Sequence, residues 1–287
     1  MRRRTGHPCL DPPVVPTPPT PPKALLRRAA YHVLWRSGTL ALRRRWHRRA
    51  GRATAAVIVF HRVSATEPES GISVTPRRFE AILAMLSTHY DVMSASELVS
   101  RLTSRRPFTG REVVITFDDG YADNVEQAAP LLARYGLPAC FFLTAGLVGT
   151  DRNFPWDDAR GIASRMMTWP QARDLARQGF ELGCHTMTHP DLGREPVASA
   201  RVELDEARAL VQRQSGASVA HFAYPFGGRE NIRPDWLEAI RAAGFASSFC
   251  GFGGLVTAAD DPFWIPRIGA AHQRSLTDLR IDIDDAW

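Results

Sequence analysis

Two adjacent carboxylates end an apolar run in Val113-Val114-Ile115-Thr116-Phe117-Asp118-Asp119-Gly120. Side chains alternate along a strand, so neighbouring Asp residues point to opposite faces unless the chain breaks, and Gly120 offers that break. Carboxylates brought together repel unless a proton or a cation lies between them. A second run, Phe180–Cys184, leads into His185-Thr186-Met187-Thr188-His189-Pro190. If this segment makes a helical turn, two His four apart share one face and both imidazoles reach one ion. Asp119, His185 and His189 then supply one carboxylate and two imidazoles. Three protein ligands leave positions for water and substrate, which marks a catalytic rather than a structural site. Zinc lowers the pKa of its water from about 15.7 to about 7, which makes deprotonation easier by about 12 kcal/mol. Asp118, outside the ligand set, is free to take that proton. The plainer reading has Asp119 or Asp123 capping a helix over 123–134.

Two further strand ends carry polar or unusual residues. Phe222-Ala223-Tyr224-Pro225-Phe226-Gly227-Gly228 breaks at Pro225, and the backbone beyond it can aim an N–H at a developing oxyanion. An aromatic turn closing the strand is the competing reading. Val57-Ile58-Val59-Phe60-His61 places a His just beyond the first strand, where it could protonate a leaving amine or serve only as a satisfied polar group.

Elements that would position these groups alternate from residue 55 onward. The patterning predicts strands over 55–60, 90–93, 113–117, 139–144, 180–184, 221–224, 246–250 and 264–268. It predicts helices over 76–88, 95–104, 123–134, 169–177, 197–214, 234–243 and 275–284. Thr75-Pro76 and Ser94 mark helix starts, and Gly136, Gly179 and Gly244 sit just past helix ends. Repeated β-then-α units with near-continuous apolar strands predict a parallel sheet, and seven or eight such units favour closure into a barrel. In such a barrel the reactive groups lie at the carboxyl ends of the strands.

The 287 residues divide unevenly in charge: residues 1–52 hold 13 Lys+Arg and one acid, whereas 53–287 hold 23 Lys+Arg and 29 Asp+Glu. We therefore expect a basic Pro/Arg-rich segment over 1–52 and the barrel over 53–287. Eight prolines in 8–22 predict an extended linker. Residues 23–50 mix Leu, Trp and Tyr with clustered Arg, which suits either a peripheral helix on an anionic membrane surface or a solvated tail. No apolar run approaches the roughly 20 residues of a spanning helix. Prolines occupy the place of a signal peptide's apolar region, so a cytoplasmic or inner-membrane-peripheral location is favoured over an extracytoplasmic one. A start codon assigned too far upstream would also produce such a head. Specific nucleic-acid recognition is not expected from an acidic body. The four cysteines, Cys9, Cys140, Cys184 and Cys250, show no CxxC spacing, and three of them read as small core residues.

Thr116-Phe117-Asp118-Asp119-Gly120 and His185-Thr186-Met187-Thr188-His189 closely resemble the first two motifs of the polysaccharide deacetylase family, also called the NodB homology or carbohydrate esterase 4 family. Phe222–Gly227 resembles the third. The resemblance covers roughly 55–270 and implies an α/β fold, a distorted (β/α) barrel of about seven parallel strands. It implies removal of N-acetyl groups from N-acetylhexosamine units of a glycan or lipid-linked sugar, with a divalent ion, zinc or another transition metal. By the same resemblance Asp118 is the base; Asp119, His185 and His189 are the metal ligands; the Phe226 N–H is the oxyanion donor, with Tyr224 beside it. Ala223 stands where the family often has an Arg that orients the base, and Arg267 is the candidate substitute. The late Leu-x-His motif that supplies an acid is absent, and His272 is the one late His. Val59-Phe60-His61-Arg62-Val63 resembles instead the early segment of a permuted exopolysaccharide-deacetylase subgroup, which implies His61 as the acid. The rival readings are a hydrolase of another C–N bond, a non-haem iron oxygenase and a non-catalytic glycan-binding barrel.

Overall fold

The computed structural model describes residues 22–66, 71–162, 164–270 and 275–285. The linker over 8–22 (apart from Pro22), Cys9 and His272 lie outside them. Two helices, α1 (Pro22–Arg36) and α2 (Thr39–Arg49), precede strand β1 (Thr54–Phe60). The short pair β2 (Arg62–Val63) and β3 (Ser73–Val74) follows, then α3 (Pro76–His89), β4 (Asp91–Met93), α4 (Ala95–Thr103) and β5 (Glu112–Phe117). The remainder is α5 (Ala129–Tyr135), β6 (Cys140–Leu143), α6 (Pro155–Asp158), α7 (Trp169–Arg177), β7 (Glu181–Cys184), α8 (Ala207–Ser215), β8 (His221–Ala223), α9 (Pro234–Ala242), β9 (Ser247–Phe249), β10 (Val256–Thr257), β11 (Ile268–Gly269) and α10 (Leu276–Ile283).

The sheet runs β1-β5-β6-β7-β8-β9, every neighbouring pair parallel. The run 265–269 closes the curl. Ile265 bridges Phe249 at one end, and Ile268 pairs with Ile58 of β1 at the other. The expected strand over 264–268 is thus split, because Pro266 has no N–H to give a ladder. This is the (β/α) barrel the patterning predicted, distorted where its last member is broken. On the helix-facing side of the sheet, Phe60, Phe117 and Phe141 stack across three adjacent strands at 5.3 and 4.7 Å between ring centres, with Phe79 of α3 edge-on to the first two.

Helix starts follow their caps. Thr75 and Ser94 accept from the N–H groups of Arg78 and Glu97, and Gly136 ends α5 at φ 64°. Two expected helices are not regular. Over 123–134 a π turn (Asn124–Ala128) precedes α5, where Pro130 cannot donate to the preceding turn. Over 197–214 a 3₁₀ turn and a π turn (Arg201–Glu206) precede α8, and the widened turn carries Glu203. Neither Asp119 nor Asp123 caps a helix: Asp123 instead takes Arg62 Nε at 2.9 Å.

The basic segment folds as a hairpin of helices against the barrel. Arg28 pairs with Asp278 at 2.6 Å, Arg27 with Asp282 at 3.3 Å, Arg43 with Asp285 at 3.2 Å, and Arg44 with Asp284. Tyr31 and Tyr90 donate to the two oxygens of the buried Asp284 carboxylate at 2.6 and 2.7 Å. Tyr31, Leu40 and Ile281 form a small separate core under this hairpin. Leu40, Arg44 and His47 line a crevice with Ala53, Thr54 and Gly110, so α2 lies at the amino ends of β1 and β5.

Candidate active site

Asp118 and Asp119 leave β5 at its carboxyl end and are both almost fully buried. The reversal that sequence spacing assigned to Gly120 begins one residue earlier: Asp119 itself has φ 74°, followed by Gly120 at 89°. The left-handed residue turns the second carboxylate away from the strand's alternation. His185 and His189 are brought together differently from expectation. The segment is no helical turn but a loop with Thr186 at φ 66° and His189 at 63°. Ala145 and Gly146 N–H groups donate to the carbonyls of Thr186 and Met187, at 3.0 and 2.9 Å. Glu203 holds the other side, accepting from Met187 N, Thr188 N and Thr188 Oγ1 at 2.9, 3.0 and 2.7 Å. Nothing in the sequence reading singled out Glu203, which is one of three acids in Arg201–Glu206.

The loop sets the two imidazoles against Asp119. Nε2 of His185 lies 3.5 Å, and Nε2 of His189 3.4 Å, from Asp119 Oδ1. His185 Nδ1 sits 2.8 Å from the Ala223 carbonyl, which can only accept. Nδ1 therefore carries a proton, and whenever the ring is neutral Nε2 presents a lone pair. Asp119 Oδ1 is buried without a hydrogen-bond partner. A buried carboxylate oxygen left without a donor and facing an imidazole lone pair suits a cation, because neither group can satisfy the other. Among the described residues Asp119, His185 and His189 form the one group of three with this spacing, their ligand atoms all within 4.8 Å. The residues present therefore fit a divalent ion. Burial pushes the Asp119 carboxyl up, but both imidazoles outweigh it and hold it far below the usual range. Burial alone would lower His185; the charge of Asp118 prevails and raises it, whereas in His189 burial wins.

Asp118 stands beside this trio with Oδ2 4.0 Å from His185 Nε2, yet its bonds go elsewhere. Arg267, also buried, forks onto it, Nη1 to Oδ1 and Nη2 to Oδ2, each at 2.7 Å. Arg267 Nε is fixed on the Cys250 carbonyl at 3.0 Å. Burial acts to raise Asp118, and the guanidinium outweighs it, so the carboxyl sits below its ordinary value.

His61 follows β1 and faces the same recess, a cavity of about 420 Å³ that also takes in Asp118, Asp119, His185, His189, Tyr224, Phe226 and Trp156. Tyr224 is buried, its ring edge-on to Phe222 at 5.3 Å, so it forms wall rather than a free contact. Phe226 is 58% exposed at φ 61°, and its ring lies 4.9 Å from His189. The turn behind it requires Gly227 (φ 68°), where a Cβ would stand 2.4 Å from Gly251 N. Trp156, which the sequence reading passed over, continues this aromatic wall, 5.1 Å from His189 and 6.2 Å from the Phe226 ring. Its indole N–H donates to Tyr121 Oη at 3.0 Å, and that hydroxyl donates to Asp157 at 2.8 Å. A larger recess of about 540 Å³ along the barrel seam shares Gly251, Arg267 and Gly269 but holds none of the trio.

Comparison with known proteins agrees with this geometry. Residues 105–247 match the polysaccharide deacetylase family model. YxkH of Bacillus subtilis is 24% identical over 201 residues, covering 70% of this chain and 65% of its own length. A poly-β-1,6-N-acetyl-D-glucosamine N-deacetylase of Staphylococcus aureus is 25% identical over 214 residues, covering 71% of this chain and 70% of its own. Among solved structures, the Streptococcus pyogenes deacetylase PplD in complex with acetate superposes with TM-score 0.68 at 21% identity, covering 80% of this chain and 98% of that one. IcaB from Ammonifex degensii superposes with TM-score 0.66 at 23% identity, covering 81% and 97%. The fold, the two leading motifs at their strand ends and the matched segment agree: the chain belongs to the polysaccharide deacetylase family.

Proposed function

We propose that the chain is a metal-dependent N-deacetylase acting on N-acetylhexosamine units of a glycan, of the exopolysaccharide subgroup, and that it releases acetate. The observation that carries this reading is the convergence of His185 Nε2 and His189 Nε2 on a partnerless Asp119 Oδ1, with a second carboxylate beside it bonded elsewhere. The Staphylococcus aureus relative's substrate supports the choice of glycan.

Asp119, His185 and His189 would hold a divalent ion, zinc in this reading, which would supply Lewis acidity toward an acetyl carbonyl and lower the pKa of a water. Asp118 takes a proton from the attacking water. A carboxylate held below its ordinary pKa is a poor base for bulk water, so this role requires a water already made acidic. Arg267 fixes the direction of the Asp118 lone pairs and keeps the carboxylate ionised before the attack. The Phe226 N–H, which has no protein acceptor among the described residues, donates to the oxyanion that forms as the water oxygen bonds to the acetyl carbon. His61 gives a proton to the sugar nitrogen as the C–N bond breaks, leaving a free amine and acetate. Trp156 and Phe226 wall the recess and keep bulk water from the acetyl group.

The test is release of acetate from N-acetylated glucosamine oligomers by chelated protein, with and without added zinc, manganese or cobalt. Acetate formed only after a divalent ion is restored is expected. No acetate with any of the ions overturns the reading, and formate from formylated sugars would replace it by a deformylase. A lipid-linked acetylated sugar is the alternative substrate, separated from the soluble oligomers in the same assay.

A further inference from the structure

Helices α1 and α2 bury only Tyr31 and Leu40 against the barrel and leave most of their large apolar side chains outward. Their inward faces carry Arg27, Arg28, Arg43 and Arg44, each paired with an aspartate of the α10 region. Their outward faces carry Leu25, Leu26 and Val33 on α1, and Leu42 and Trp46 on α2, every one more than half exposed. On α1 the order 25/26, 29, 33 places the apolar side chains with Ala29 on one stripe at helical spacing, and on α2 Leu42 and Trp46 are four apart. Outside this hairpin, the large apolar side chains exposed among the described residues are Val197, Val202 and Phe226.

Charge on the outward side is of one sign. Arg36, Arg45, Arg48 and Arg49 have no acidic partner among the described residues, and neither helix contains an Asp or Glu. Half of the eight helical arginines thus fasten the hairpin to the barrel, and the other half stand beside Leu and Trp in solvent. An apolar stripe flanked by unpaired cations, with a Trp at its edge, matches a bilayer interface with anionic headgroups. An acidic protein groove would satisfy the arginines but not the length of apolar stripe, and a nucleic acid would leave the apolar stripe in water.

We propose that the outer face of the α1–α2 hairpin docks on an anionic phospholipid bilayer, holding the enzyme at the membrane surface without spanning it. No helix among the described residues is long and apolar enough to cross. Because α2 covers the amino ends of β1 and β5 while the site lies at the carboxyl ends, the docked barrel keeps its mouth open to solution. That orientation suits a glycan chain in the aqueous phase over a sugar still attached to lipid in the same bilayer. The docking itself stands independently of the deacetylase reading.

The test is co-sedimentation of the full chain with phosphatidylcholine vesicles, with and without phosphatidylglycerol as a third of the lipid. Binding to the anionic vesicles, weak or absent on neutral ones and reduced in about 0.5 M salt, is expected. The triple change Arg45→Gln, Arg48→Gln, Arg49→Gln should weaken it about 100-fold, and Leu42→Glu with Trp46→Glu should abolish it. All five positions are at the surface and outside the site, so circular dichroism and activity on soluble oligomers should match the parent. No binding to anionic vesicles overturns the proposal. So does binding that the variants leave unchanged, or sequestration by duplex DNA in place of vesicles.

Discussion

Arg267 and Asp118, 149 residues apart in the chain, meet as a buried two-pronged pair with both bonds at 2.7 Å. The pair joins the broken closing segment of the barrel to the end of its second core strand, so closing the seam also sets the carboxylate assigned as base. Arg267→Lys keeps the charge but loses the fork. We expect kcat to fall about 100-fold with metal content unchanged, while Arg267→Met additionally destabilises the fold by about 3–5 kcal/mol by stranding a buried carboxylate. Steady-state kinetics, metal analysis and denaturant titration read the three quantities. Asp118→Asn should remove about 10³-fold or more of kcat with the metal still bound; full activity in that variant refutes Asp118 as base.

His61→Ala should lower kcat by about 10²–10⁴-fold with little change in metal content, because the residue lies in the recess but outside the ligand trio. An acetylated substrate with a better leaving group should recover much of the loss. Kinetics matching the parent would move the acid role to another group.

Glu203 touches no ligand atom, yet it grips the backbone of Met187 and Thr188 between the two imidazoles. Glu203→Gln replaces an acceptor pair by one acceptor and one donor. We expect metal affinity to fall about 10-fold or more, measured by competition with a chromophoric chelator. Unchanged affinity would show that the loop is held without it.

Burial pushes the Asp278 carboxyl up, but Arg28 and the Ser275 hydroxyl and N–H outweigh it and hold the value at about 2, below its ordinary 3.8. A depressed acid contributes stability above its unfolded pKa and loses it as pH falls through the folded one. The clasp between α1 and α10 should therefore be intact above about pH 4 and loosen toward about pH 2. Protease susceptibility of α1 should rise across that window in the parent, and Asp278→Asn should be susceptible already at pH 6. Equal susceptibility of the two proteins at pH 6 would refute the contribution.

The strands and the residues at their carboxyl ends were legible because apolar runs, breaking glycines and prolines, and capping side chains are local signals. His61, Asp118 and Asp119, the two histidines and Phe226 all fall where such runs stop. What could not be read was the backbone that joins them. Of the six non-glycine residues with positive φ among the described ones, four are Asp119, Thr186, His189 and Phe226. Their intrinsic preferences oppose that conformation by about 1–3 kcal/mol each, and bonds from outside hold the loops: Gly146 and Glu203 at 186–189, Gly251 behind Phe226, and Thr144 at Asp119. Spacing alone therefore suggested a helical turn for 185–189. The inward-facing arginines of α1 and α2 were equally hidden, since their partners lie roughly 250 residues away.

That last separation has a consequence for biogenesis. Arg28, Tyr31 and Arg44 find Asp278 and Asp284 only after about 250 further residues have been made. At about 5–20 residues per second the wait is about 12–50 s, during which an oily, cationic pair of helices has no native seat. The clasp between the hairpin and α10 therefore forms only after α10 has been made.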